Sequence, residues 1–314
     1  NVSGLYCNYN SNLTYKKDRK LIFMFTGQGS QYVNMGLEMY KSNKVFKEAV
    51  DLCDKKFKPY ILESVVKLIY GENADSDKVQ KTVYAQPLIF TIEYALAKMW
   101  ESYGVTPDIV IGHSIGEYAA AVVAGIMDIE DAIKLVALRG RLMDMAPGEG
   151  SMGTILAGEK VVKELLANYE NRVSIATINA KESYVISGEK AAVEEVLSLA
   201  EARGIEVKRL KVSHAFHSHM MQPILDDFKE VASEITYHEP KIRFVSTMYA
   251  RELESNEILD ANYWTQHIRE KVDFYHAITS IKDNKEYVHL EIGANRVLAA
   301  LCKLIYGDER IIAS

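Results

Sequence analysis

A serine flanked by glycines two residues away on each side, Gly112-His113-Ser114-Ile115-Gly116, follows an apolar strand-like run and precedes a helix-like one. That order is the nucleophile elbow: a tight turn lifts the hydroxyl clear of the backbone, and the glycines avoid side-chain clashes inside it. The helix that follows would point its free N–H groups at an oxyanion forming on an acylated Ser114. A serine hydroxyl needs a general base, and three histidines stand in the segment His214-Ala215-Phe216-His217-Ser218-His219. They could instead bind metal or be structural, but no Cys accompanies them and no H-E-x-x-H pattern occurs. The metal-ligand expectation is therefore none. His113 adjoins Ser114, so its side chain should point away from the hydroxyl.

A second turn, Gly27-Gln28-Gly29-Ser30-Gln31, lacks the lysine of a phosphate loop and the third glycine of a dinucleotide loop. It remains a glycine-rich turn at a strand's end, where α/β sheets place ligands, and could supply another oxyanion donor. Arg139 is the fourth feature. On a helical projection Ala132, Leu135, Val136, Leu142 and Met143 fall within about 60° of it, whereas Arg141 lies about 200° away. A cation in the middle of an apolar face needs a partner. That partner is either an internal carboxylate or a substrate carboxylate held bidentately. Gln86-Pro87 reads as a helix opening, with Gln86 either a cap or a hydrogen-bonding group in the site. Met35 and Met39 read as core, and Arg251–Glu257 as a solvated charged loop.

The elements that must carry these residues alternate. Residues 21–25 and 108–112 are apolar runs of buried parallel strands. Residues 85–103 and 129–145, the latter capped by Asp128, read as helices. This is an α/β pattern, a large hydrolase-like domain with a parallel sheet and helices on both faces. Past Pro147-Gly148 the order changes to strand 151–157, helix 159–169, strands 172–179 and 183–187, helix 189–203 and strand 205–212. That βαββαβ order is the ferredoxin-like, split βαβ unit. The expected division is a linker at 1–19, a large domain at 20–149 and 219–314, and an inserted subdomain at 150–218. Within the large domain, 220–235 and 260–282 read as helical, 242–247 and 287–292 as strands, and 296–306 as a closing helix.

Composition excludes some classes. A net charge of −6 over 314 residues does not favour nucleic acid. No apolar run reaches the length of a membrane span, and no secretory leader is visible. Three widely spaced cysteines, Cys7, Cys53 and Cys302, suit a reducing cytoplasm. The start at Asn1, without Met, suggests a chain cut from something longer or a processed terminus.

GQGSQ, GHSIGEY, LRGRLM and HAFHSHMM, in that order, resemble the malonyl-CoA:acyl carrier protein transacylases and the acyltransferase domains of polyketide and fatty acid synthases. The spacings agree, 25 residues from Ser114 to Arg139 and 103 from Ser114 to His217. Tyr263-Trp264 with Arg269, Val272 and Phe274 matches a further stretch of the synthase domains. The resemblance spans residues 21–306. It implies that Ser114 is the nucleophile and His217 its base, with backbone N–H groups of Gln28 and Ile115 as the oxyanion hole. Arg139 would grip a malonyl carboxylate, with His113, Phe216 and Gln86 completing the substrate-binding set. His217 would be oriented by a backbone carbonyl in the Gly293–Asn295 turn instead of by an acid. HAFH resembles malonyl-selective members, Phe216 and Ile115 crowding the space beside the α-carbon. No bound cofactor is implied. The expected partners are malonyl-CoA, the phosphopantetheine of an acyl carrier protein and neighbouring synthase domains, with no nucleic acid and no membrane. The alternatives are a serine thioesterase or esterase, and a docking domain without activity.

Overall fold

The computed structural model describes residues 20–212, 214–282, 284–307 and 311–314. The linker expected at 1–19, with Cys7, lies outside the described residues.

The main sheet begins with β1 (Lys20–Phe25), the LIFMF run. Side chains alternate along a strand, and β1 uses both faces: Phe23 and Phe25 join the main core, Ile22 and Met24 a second one. All four are fully buried, which is why the run shows no polar alternation. Four helices follow: α1 (Leu37–Ser42), α2 (Lys44–Ile61), α3 (Val65–Tyr70) and α4 (Ser76–Gln80). The sequence reading assigned no elements here, yet α2 buries Phe46, Val50, Cys53, Phe57 and Ile61 along one helical face. Met35 is buried and Met39 partly so, as expected of core.

Next come α5 (Thr82–Ser102), β2 (Ile109–Gly112), α6 (Gly116–Ala124) and α7 (Ile129–Asp144). Pro87 does not open α5. The helix starts at Thr82, so Pro87 lies in its second turn and Gln86 is interior. The inserted segment runs β3 (Gly150–Ile155), α8 (Glu159–Leu166), β4 (Val173–Ala180), β5 (Ser183–Glu189), α9 (Lys190–Ala202) and β6 (Val207–Arg209). Its sheet has the order β4-β5-β3-β6, with all pairs antiparallel. This is the order of a split βαβ unit. Val162, Leu165, Val193, Val196 and Leu197 from α8 and α9 cover one face as a separate core.

The chain returns through a 3₁₀ turn (His219–Ile224) containing Pro223, then α10 (Leu225–Ala232), β7 (Arg243–Ser246) and β8 (Arg251–Glu252). The Arg251–Glu257 run is not simply a solvated loop. It contributes edge strand β8, and Arg251 is paired with Glu257 through two contacts of 2.8 Å. The expected helix at 260–282 is broken into α11 (Ala261–Arg269) and α12 (Phe274–Ser280). Between them Val272 is added to β4: its N–H donates to Ala176 O and its carbonyl accepts from Ile178 N–H, each at 2.9 Å. Then follow β9 (Tyr287–Ile292), α13 (Leu298–Tyr306) and β10 (Ile311–Ala313).

The main sheet has the order β10-β9-β1-β2-β7-β8. Every pairing is parallel except β7 with β8. Among the described residues no helix is long and apolar enough to cross a membrane.

Candidate active site

β1 and β2 are parallel neighbours, with Phe25 opposite Gly112, so the turns after them emerge side by side. These are the GQGSQ turn and the GHSIG turn. Ser114 has φ 52°, a left-handed conformation that costs a non-glycine residue about 1–3 kcal/mol and recurs at functional turns. The flanking glycines are required by space. A Cβ on Gly112 would lie 2.2 Å from Glu117 N, and one on Gly116 would lie 2.4 Å from the carbonyls of Phe25 and Thr26. The α6 helix thereby starts directly against the end of β1.

Ser114 Oγ lies 2.7 Å from His217 Nε2, and His217 Nδ1 lies 2.8 Å from Glu270 O. A carbonyl can only accept, so Nδ1 carries the proton and Nε2 presents its lone pair to the Ser114 hydroxyl. The orienting carbonyl is thus Glu270, not one in the Gly293–Asn295 turn. Glu270 caps α11, and the break before α12 leaves its carbonyl facing His217. The Gly293–Asn295 turn supports the other loop instead. Gly293 packs against Thr26, where a Cβ would lie 2.3 Å from its side chain, and Asn295 Nδ2 donates to Ser30 O at 3.0 Å.

That loop is held from several sides. Thr26 Oγ1 donates to the buried Glu93 at 2.7 Å, Ser30 Oγ to Gly27 O at 3.0 Å, and Gly29 N to Gln31 Oε1 at 2.7 Å. Ile115 caps α6. Among the described residues no carbonyl takes the N–H of Gln28 or Ile115. Gln28 turns its side chain toward α5, donating to Thr82 Oγ1 at 3.3 Å and accepting from Gln86 Nε2 at 3.4 Å.

Arg139 is 1% exposed, and its Nη2 donates to Ser114 Oγ at 3.2 Å. Its guanidinium lies 5.7 Å from the Tyr118 ring. Among the described residues no carboxylate comes within 4.0 Å of it, and its Nε has no hydrogen-bond partner. Burial lowers its pKa, opposed by Tyr118 and Glu117, but a guanidinium stays charged in proteins. Burial, then the Arg139 charge, push His217 down to about 3 against the raising effect of the Glu270 carbonyl. His217 is therefore a neutral base at neutral pH.

The other expected site residues lie around this centre. His113 turns away from Ser114 and makes a 2.9 Å hydrogen bond to Asn179 of β4. Its ring also abuts Gly27, where a Cβ would lie 2.8 Å from Nδ1. Gln86 is buried, with Oε1 unpartnered. Phe216 packs in the main core, its ring 6.2 Å from His214. The sequence reading missed Asn179, Glu270 and a buried polar group on α6, α11 and the turn after β7. In that group Glu117 accepts from Thr247 N–H at 2.7 Å and from the hydroxyls of Thr247 and Tyr263. The Glu of GHSIGEY and the Tyr263-Trp264 pair were visible separately, but nothing in the sequence joins Glu117 to partners 130 and 146 residues away. Among the described residues no cluster of His, Cys, Asp and Glu is arranged to hold a metal.

This arrangement can acylate and deacylate a serine beside a buried cation. The acyl transferase domain family matches residues 22–306. Polyketide synthase GfsA of Streptomyces halstedii is 40% identical over 282 residues, covering 89% of this chain and 4% of that protein. Mycoketide-CoA synthase of Mycobacterium tuberculosis is 38% identical over 281 residues, covering 90% of this chain and 7% of its own length. The chain thus spans a small fraction of these relatives. Among solved structures, the acyltransferase domain from the second module of the salinomycin polyketide synthase superposes with a TM-score of 0.88 at 39% identity, over 94% of this chain and 69% of that one. The malonyl CoA-acyl carrier protein transacylase of Coxiella burnetii gives 0.84 at 28% identity, over 96% and 95%.

Proposed function

The chain belongs to the acyl transferase domain family, and from that premise we propose that it carries a malonyl group from coenzyme A to the phosphopantetheine thiol of an acyl carrier protein. Ser114 Oγ attacks the thioester carbonyl as its proton passes to His217 Nε2. The N–H groups of Gln28 and Ile115 receive the oxyanion. Collapse breaks the C–S bond, the CoA sulfur takes the proton back from His217, and malonyl remains as an ester on Ser114. The carrier thiol then gives its proton to His217 and attacks that ester, and Ser114 recovers the proton as it leaves. The thioester supplies the chemistry, so no metal or redox cofactor enters the cycle.

One observation carries the choice of cargo. A buried guanidinium with no carboxylate partner among the described residues lies 3.2 Å from the nucleophilic oxygen. A desolvated cation without a counter-ion is costly, and an acyl chain ending in a carboxylate would supply the missing partner. Phe216 and Ile115 set the strictness toward substituted malonyl groups. Bulk alone separates one methyl by about 1–3 kcal/mol, so some leakage is expected. The sequence relatives support a polyketide synthase setting with neighbouring catalytic domains, and the free buried thiols of Cys53 and Cys302 support a reducing cytoplasm.

Transfer and hydrolysis are told apart by following CoA release with and without holo carrier protein. Capture of the malonyl group on the carrier, with slow release in its absence, is the expected outcome. Fast release that the carrier neither accelerates nor captures would identify a thioesterase.

A further inference from the structure

Glu93 stands fully buried on α5, and the transfer chemistry makes no direct use of it. Its Oε1 lies 2.7 Å from Thr26 Oγ1, Thr26 Oγ1 lies 3.1 Å from Ser30 Oγ, and Ser30 Oγ lies 3.0 Å from Gly27 O. Thr26 and Ser30 are buried as well. This chain of contacts ends on the peptide group between Gly27 and Gln28, the same planar unit that carries the Gln28 N–H. That peptide is trans, so its carbonyl and its N–H point in opposite directions. Holding Gly27 O from one side therefore aims the Gln28 N–H to the other. We infer that Glu93 is a positioning residue for the Gln28 N–H, acting as a neutral carboxylic acid at the head of a one-way hydrogen-bond relay through Thr26 and Ser30 to Gly27 O.

This role rests on the Gln28 N–H receiving the oxyanion, as proposed above. Three contacts in a row need three protons. Each hydroxyl brings one, and a backbone carbonyl brings none. With Glu93 ionised, Thr26 gives its proton to the carboxylate and Ser30 gives its own to Gly27 O. The two hydroxyl oxygens would then face each other at 3.1 Å with no proton between them. A proton on the Glu93 carboxyl supplies the third. Glu93 then donates to Thr26, Thr26 to Ser30 and Ser30 to Gly27 O, and each bond polarises the next. The surroundings agree with a neutral acid. Glu93 Oε2 is buried with no hydrogen-bond partner among the described residues, which a carbonyl oxygen bears far more cheaply than a charged one. The buried Glu291 is the contrast: it accepts from the N–H groups of Val297, Leu298 and Ala299 at 2.8, 2.7 and 3.0 Å, a donor set that suits a carboxylate. Burial raises the Glu93 carboxyl well above its ordinary range, against the lowering effect of Thr26.

The test is single-turnover acylation of Ser114 by malonyl-CoA and by acetyl-CoA in the 314-residue chain. Glu93→Met should lower the maximal rate about ten- to a hundredfold for both donors, with the half-saturating concentration unchanged, because an oxyanion donor acts in the transition state. Thr26→Val, which breaks the relay one step on, should do the same. The double variant should fall no more than about threefold below the worse single one, since both changes remove one relay. Glu93→Gln, whose amide donates to Thr26 as the acid does, should stay within about threefold of wild type. The infrared difference between wild type and Glu93→Gln should contain the carbonyl band of a protonated carboxylic acid. Full rates in Glu93→Met, multiplied losses in the double variant, losses confined to malonyl-CoA, a Glu93→Gln as slow as Glu93→Met, or a carboxylate band in place of the acid band would overturn the inference. If Glu93→Met does not fold, the cycle of Thr26→Val with Ser30→Ala and the infrared band still decide. Failure of the wild type to acylate Ser114 with either donor would remove the underlying transfer reading, a result distinct from normal acylation that the relay variants leave untouched.

Discussion

Replacing Arg139 with methionine separates cargo recognition from acyl chemistry. A carboxylate bound by two charge-assisted hydrogen bonds, each worth about 1.5–3 kcal/mol, loses on the order of 3–5 kcal/mol when the guanidinium goes. It is also left buried and unpaired. Malonyl acylation should therefore fall about 10²- to 10⁴-fold in kcat/KM. An acetyl group has no carboxylate to lose. For it, two consequences run the other way. The Arg139 charge that depresses His217 is removed, so the base strengthens. Ser114 Oγ no longer shares its lone pairs with Nη2 and stays bonded to His217. Acetyl acylation should stay within about threefold of wild type or rise, a change too small for a lost transition-state contact. The fold should not suffer, because exchanging a buried cation that has no carboxylate partner among the described residues for an apolar chain is neutral or stabilising. Intact-protein mass spectrometry of Ser114 acylation, with malonyl-CoA and acetyl-CoA in parallel, measures both rates. Equal losses for the two donors would refute the carboxylate role.

Two more predictions concern the elbow and the base. Gly116→Ala places a methyl 2.4 Å from two backbone carbonyls and should cost about 3 kcal/mol or more in urea unfolding. Gly158→Ala has nothing within 4 Å of its Cβ and should change stability by less than about 0.5 kcal/mol. Because His217 is held at about 3 when folded and near its ordinary 6.5 when unfolded, the unfolded chain binds the extra proton between those values. Its contribution to stability is then full above pH ~6.5 and is lost as pH falls toward ~3. The urea midpoint of the wild type should drop more steeply on acidification than that of His217→Gln. Acetyl acylation should show no inflection near pH ~6.5, where an unperturbed histidine would lose its basicity.

What the sequence disclosed was local. Ser114 was legible because strand, glycines and helix lie within a dozen residues, and the apolar setting of Arg139 because a helix repeats every few residues. The βαββαβ order followed from alternation of two periodicities. The groups that escaped reading act through contacts distant in the chain or through atoms without a side-chain signature. Glu270 contributes only a carbonyl, exposed to His217 by a break that periodicity smoothed into one helix at 260–282. Asn179 meets His113 across 66 residues. Gln86-Pro87 was misread because proline usually marks a helix start, whereas α5 tolerates it in the second turn. The absence of a carboxylate beside Arg139 among the described residues could not be read either, since a projection shows one helix and not its neighbours.

The most direct measurement is intact-mass analysis of the chain after malonyl-CoA, followed by a chase with holo acyl carrier protein. The wild type should gain the mass of one malonyl group on Ser114 and pass it to the carrier thiol, while Ser114→Ala should gain nothing. Covalent malonylation that persists in Ser114→Ala, or a Ser114 ester that no carrier protein can discharge, would contradict the account.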